Sequence, residues 1–232
     1  MTETIINAEA GIVRCEHKKA AIIGTGYGRD AAPWGDPTWC KWALNEIFPQ
    51  GFDRHFELHP MVVQSVQDLA WLARCPTPCY VLNLTDATTP GIIIGGGLPR
   101  EQLRVANAVQ YPLDRVVAVT TGRRYFTCTF SYQIALALAD GFEAIGLWGV
   151  GLYGGTARER TAERTCTEYW LGVAEGRGVT VVADSGLARQ PYLYGYDYDQ
   201  EVKYVNAEVA KLRTVIEHEA TRRARAEEAR GG

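Results

Sequence analysis

Short apolar runs bounded by glycine, proline or charged residues recur along most of the chain, and segments of helical spacing fall between them. The strand-like runs are Lys19-Ala20-Ala21-Ile22-Ile23, Trp42-Ala43-Leu44, Arg54–Leu58, Cys79–Asn83, Arg115–Val119, Ala144–Val150 and Val179–Ala183. Val63, Val66, Leu69, Ala70 and Leu72 form an apolar stripe that predicts a helix over Val62–Ala73. Ser131–Ala139 is apolar on nearly every side, which suits a buried helix, and Cys166–Glu175 is a third helical candidate. Strands alternating with helices predict an α/β layered fold with a mostly parallel sheet. Thr85–Gly97, with Pro90 and Gly95-Gly96-Gly97, and 151–165, with little apolar content, read as loops. In such folds, loops at the carboxyl ends of strands hold ligands.

From Asp199 to Arg230 the pattern changes. This stretch has no Gly or Pro, and Val202, Val205, Val209, Leu212 and Ile216 fall on one face of a long amphipathic helix. The chain therefore divides into a sheet domain over 1–198 and a C-terminal helix with a frayed tail over 199–232. The helix has two uses open to it: folding back on the domain, or pairing with a second subunit as a homodimer. Acids interleaved among Arg222, Arg223, Arg225 and Arg230 favour a solvated end over a nucleic-acid tail.

The first run closes on Gly24-Thr25-Gly26-Tyr27-Gly28. A buried strand opening into such a turn lets a ligand approach the backbone, and a following helix would offer N–H groups to a phosphate. The spacing is not the full dinucleotide fingerprint, and a plain tight turn is the competing account.

Composition narrows the field. Of the 232 residues 47% are apolar and 22% charged, so the chain is neither wholly disordered nor fibrous. The formal net charge of -3 argues against a general basic coat for nucleic acid. No apolar run approaches the ~18 residues that cross a bilayer. The N-terminus lacks a basic and apolar leader, so a cytoplasmic protein without a membrane partner is expected. Six cysteines at irregular spacings then read as free thiols, and Cys75-Pro-Thr-Pro-Cys79 as a reduced pair without a metal.

Several elements together resemble a family of bacteriophage proteins. They are Ala21–Gly26, Ala32-Pro33-Trp34, Trp42-Ala43-Leu44-Asn45, Phe56–Pro60, Tyr111-Pro112-Leu113, Tyr125–Tyr132, Gly149–Tyr153 and Glu168–Ala174. The layout of that family is similar to Rossmann-like glycosyltransferases of the bacterial sialyltransferase type and to the MptE-like pterin pyrophosphokinases. The resemblance implies a nucleotide-sugar donor substrate and no metal. It implies that Gly24, Thr25 and Gly26 cradle a phosphate, that Asn45 bonds the ribose or base, and that Thr127 and Thr129 sit near phosphate or sugar. Tyr153 would stabilise the departing phosphate. A hydroxymethylated base of phage DNA and another phage acceptor are the acceptor classes it leaves open. The chain departs from the family pattern in carrying Gly151 where an acid stands, and Tyr27-Gly28 where Pro-Ser stands.

Transfer to a hydroxyl needs a general base, and Asp53, Glu57, His59 and Glu168 are the supply. His59 is preferred because an imidazole titrates near neutral pH, with Glu57 beside it; a histidine merely satisfied before Pro60 is the alternative. Asn45 reads equally as a helix cap before Glu46-Ile47-Phe48, and Thr127 and Thr129 as caps of the helix near Ser131. Two further classes stay open. One is a non-catalytic nucleotide binder. The other is a pyrophosphoryl transferase drawing Mg²⁺ ligands from Asp30, Asp36, Asp53 and Glu57.

Overall fold

The computed structural model describes residues 4–45, 51–88, 104–152, 155–183, 193 and 196–231. The chain separates into two compact units, Met1–Leu187 and Ala188–Gly232. In the first, β1 (Thr4–Asn7) and β2 (Ile12–Arg14) form a small antiparallel hairpin. The strands β3 (Lys19–Ile23), β4 (Trp39–Leu44), β5 (Arg54–Phe56), β6 (Cys79–Val81), β7 (Ala108–Gln110), β8 (Ala144–Trp148) and β9 (Thr180–Ala183) build one seven-stranded sheet. Its order is β7-β6-β5-β4-β3-β8-β9, and every neighbouring pair is parallel. With its flanking helices this is the expected Rossmann-like α/β architecture.

The chain lays β4 to β7 outward on one side of β3, then returns to place β8 and β9 on the other. Strand order therefore reverses between β3 and β8, and parallel sheets open a crevice at such a switch point, beyond the carboxyl ends of the strands. The alternation of side chains sorts residues to two faces. Ala20, Ile22, Trp42 and Phe56 pack with α4 (Thr129–Ala139) and α5 (Ala157–Gly176), while Ala21, Ile23 and Ala43 face Trp34, Trp39 and Trp148. The other helices of this unit are α1 (Val66–Leu72), α2 (Leu84–Thr88) and α3 (Leu113–Val119).

Ile134 to Ala137 of α4 are wholly buried, which explains why the segment is apolar all round. It ends in a Schellman motif: Phe142 N–H bonds Ala137 O at 3.1 Å and Gly141 N–H bonds Leu138 O at 3.2 Å. Gly141 holds the left-handed conformation this needs, at φ 77°. The Asp140 cap then pairs with the wholly buried Arg54 at 2.8 Å and with Arg115 at 2.7 Å, while the Arg54 guanidinium lies 4.7 Å from the Trp42 ring centre. A buried arginine paired and stacked in this way satisfies charge that would otherwise be costly in the core.

Three segments differ from their sequence reading. Arg115–Val119 is not a strand but the body of α3. Pro112 precedes its first turn, Asp114 lies within that turn, and only Val116 of the run is buried, so helical spacing overrides β-branched propensity. The sheet edge is taken instead by β7. The supposed loop 151–165 is largely the start of α5, set by a capping box in which Glu159 N–H donates to Thr156 Oγ1 at 3.2 Å and Thr156 N–H to Glu159 Oε2 at 2.6 Å. Thr85–Thr88 belongs to α2, while Pro90 and the triple glycine lie outside the described residues.

The second unit carries α6 (Tyr198–Gly231). Val202, Val205, Val209, Leu212 and Ile216 are exposed along it, and Val215 is buried.

Candidate functional site

A cavity of about 360 Å³ opens at the carboxyl ends of β4, β5 and β8, against the N-terminus of α4. Asn45 enters it from the end of β4, His59 from the segment after β5, Thr127 to Phe130 from the turn into α4, Leu152 from beyond β8, and Glu163 from α5. Four sequence candidates, Asn45, His59, Thr127 and Thr129, thus meet in one place although they are far apart in the chain.

His59 and Glu57 form a hydrogen-bonded pair at this cavity. The Glu57 carboxylate is 1% exposed, whereas the His59 side chain is half exposed. Glu57 Oε1 lies 2.8 Å from His59 Nδ1, and it accepts from His59 N–H at 3.2 Å and from Gln64 Nε2 at 2.9 Å. A carboxylate against Nδ1 holds a proton there and leaves Nε2 as the basic atom. The hydrogen bond to Glu57 raises the imidazole pKa above 6.5, with burial opposing and the Glu57 charge adding to the rise. His55, four residues earlier, contrasts with it. It is wholly buried, both its ring nitrogens lack hydrogen-bond partners, and burial depresses its pKa to about 3.

The turn into α4 supplies a second feature. Cys128 occupies the N-cap with no side-chain cap bond, and neither Thr127 nor Thr129 caps the helix. Thr127 Oγ1 donates to Ala162 O at 3.0 Å instead. An uncapped helix start beside a cavity offers its first N–H groups and dipole to an anion. Asn45 holds a left-handed φ of 55°, and its buried Oδ1 has no hydrogen-bond partner in the protein. Gln133 on α4 is wholly buried too, and its Oε1 likewise has none.

The glycine loop serves differently from its expected use. Gly24 N–H bonds Trp148 O at 2.8 Å and Gly26 N–H bonds Gly149 O at 2.9 Å, so both amides are engaged by the end of β8. A Cβ on Gly24 would stand 2.4 Å from Gly149 O and 3.1 Å from Phe130 Cζ. These glycines are required because two backbones and a ring converge there. No α-helix follows the loop; a single 3₁₀ turn, Arg29–Ala31, takes that place. The amides of Gly24 and Gly26, which the resemblance would give to a phosphate cradle, thus bond the end of β8 in this structure. Thr25 sits between them, half-buried, and does not line the cavity.

The remaining candidates fall elsewhere. Tyr153, like Glu46–Phe48, lies outside the described residues. Asp53 accepts from Lys41 N–H at 2.7 Å and pairs with its ammonium at 3.8 Å, a structural use. Asp36 accepts from Thr38, and Asp30, Asp36, Asp53 and Glu168 do not line the cavity. Among the described residues no three His, Cys, Asp or Glu side chains are grouped to hold a metal ion, and no helix is long and apolar enough to cross a membrane. All six cysteines are free.

Glu163 is the cavity residue that sequence reading missed. Burial raises its carboxyl above the usual range, and Glu159 adds to the rise. The Thr156-Ala157-Arg158-Glu159 capping signature would have placed it on a helix one turn further on.

No protein-family model matches the chain, and no curated protein matches it in sequence. Among solved structures, the chain is similar to the sialyltransferase CstII from Campylobacter jejuni, studied in complex with the substrate analogue CMP-3FNeuAc. The identity is 13%, with 72% of this chain and 80% of that one covered, at a TM-score of 0.43. So distant a likeness carries no argument about chemistry.

Proposed function

We propose that the cavity is the active site of a nucleotide-sugar-dependent glycosyltransferase in which His59 is the general base. The observation that carries this reading is the buried Glu57 bonded to Nδ1 of a histidine that lines the cavity. In the reaction, His59 Nε2 takes the proton of an acceptor hydroxyl as its oxygen bonds the anomeric carbon of the donor sugar. The bond from that carbon to the phosphate oxygen breaks, and its electrons leave with the nucleotide. Glu57 fixes the imidazole and stabilises the imidazolium that forms, as a buried acid does in other carboxylate–histidine pairs.

The start of α4, with Thr129, takes the phosphate side of the donor, in place of the glycine loop. Asn45 Oδ1 accepts from a ribose hydroxyl or a base N–H, which answers its missing protein partner. The donor class rests on the sequence resemblance to the phage family, as do the acceptors it leaves open, a hydroxymethylated DNA base or another phage acceptor.

The test is a thermal-shift screen against nucleoside mono- and diphosphates, nucleotide sugars and NAD, each with and without Mg²⁺. A ligand bound to the folded state raises the melting temperature by mass action. The expected result is a metal-independent rise with one nucleotide and its sugar, lost in Asn45→Gly, which removes the amide but keeps the left-handed backbone. No rise with any nucleotide overturns the reading. A rise without turnover leaves a nucleotide-binding protein and overturns the catalytic assignment.

A further inference from the structure

The stripe on α6 has a finer pattern than amphipathicity. Val202, Val205, Val209, Leu212 and Ile216 are spaced three, four, three and four residues apart, a heptad seam with Val202, Val209 and Ile216 at the first position and Val205 and Leu212 at the fourth. All five are exposed, from 39% at Leu212 to 66% at Ile216. Buried on only one side, a globular helix shows a broader stripe of average period 3.6, whereas a strict alternation of three and four gives the narrow seam of two supercoiled helices.

We propose that α6 pairs with α6 of a second copy of this chain as a parallel, in-register two-stranded coiled coil. Two features of the sequence select that occupant. β-Branched residues hold the first heptad position throughout and leucine holds a fourth, a pattern that favours two parallel strands. In the parallel arrangement the residue just before a first-position residue faces the residue just after the next fourth-position residue of the partner helix. Those positions are Glu208 and Arg213, which are opposite in charge, and the two-fold axis repeats the pair on the other side. An antiparallel pair centred on the same seam sets Glu208 against the partner's Glu208 or against Val215, and neither offers it a cation. The seam runs for little more than two heptads before Glu219 falls at a fourth position and interrupts it, so the association is modest and concentration-dependent.

The experiment is sedimentation equilibrium of the full chain over a dilution series, with four variants. Wild type is expected to pass from one to two chain masses as concentration rises. Leu212→Asp, at an exposed position, is expected to stay at one chain mass, with unchanged circular dichroism and with the melting temperature of wild type at dilutions where both are monomeric. Glu208→Arg and Arg213→Glu are each expected to weaken dimerisation several-fold, and the double variant Glu208→Arg/Arg213→Glu to restore it. A wild type that remains monomeric throughout overturns the proposal, and so does a dimer indifferent to Leu212→Asp. A dimer lost in Leu212→Asp but indifferent to the charge swaps overturns the parallel register.

Discussion

Two turns meet at the carboxyl edge of the sheet, and they use their backbone amides in opposite ways. The glycine loop after β3 turns Gly24 and Gly26 inward, where their N–H groups bond the carbonyls of Trp148 and Gly149. The turn before α4 leaves its helix start without a side-chain cap, next to the cavity. Glycine content marks the first as a ligand loop in sequence, yet it locks two strand ends together. The plainer Tyr-Phe-Thr-Cys-Thr turn is the one that borders open space. Glycine shows that a backbone must come close to something, and only the fold shows whether that partner is a ligand or another strand.

The same lesson holds for the two histidines near β5. His55 is sealed against Trp71, with ring centres 4.4 Å apart, and burial keeps it neutral. His59 lies at the cavity and bonds a buried carboxylate that favours its charged form. One histidine belongs to the core and the other to the proposed site.

The contrast between these regions is open to direct tests. The largest effect is expected from His59→Ala, which removes the proposed base. Turnover with the donor found by the thermal screen should fall about 10²–10⁴-fold while the circular dichroism stays that of the folded wild type. Next comes Gly24→Ala, whose Cβ would stand 2.4 Å from Gly149 O. It should cost roughly 1–3 kcal/mol in chemical denaturation, as overpacking does, because the loop joins strand ends.

His55 gives a pH-dependent effect. Its folded-state pKa of about 3 lies below the ordinary 6.5, so the unfolded chain binds the proton more readily. Stability should therefore fall as pH drops below 6.5, by up to about 1.4 kcal/mol per pH unit until pH nears 3. His55→Phe should flatten that part of a denaturation series collected against pH. The smallest effect is expected from Thr129→Val, which removes one hydroxyl at the start of α4. Nucleotide affinity in calorimetry should weaken about tenfold, the scale of one hydrogen bond.

Much of this architecture was legible in the sequence, because apolar runs and helical stripes follow directly from burial. The sheet strands at Lys19–Ile23, Cys79 and Ala144 and the buried helix before Asp140 stand out in that way. Arg115–Val119 misled because β-branched composition outweighed the Pro112 and Asp114 start signals. The α5 start was missed although Thr156 and Glu159 spell a capping box, and Glu163 was lost with it. At the candidate site, residue types that can do chemistry were visible one by one. Their meeting was not, since Asn45, His59 and Thr129 converge only through the order in which the strands are laid down. The engaged amides of Gly24 and Gly26 depend on β8, far along the chain, and no local pattern announces that contact.

Glu57 and His59 are proposed to act as one proton-accepting unit, which the pH dependence of turnover in wild type against Glu57→Gln puts to the test. A base must lose its proton to act, so kcat/KM should rise through the His59 pKa, above 6.5, in the wild type. In Glu57→Gln the hydrogen bond to a charged acceptor and the attraction are gone, so that rise should move to lower pH and the plateau should drop. A profile that keeps its midpoint in Glu57→Gln, or one with no rise in this range, would contradict the assignment.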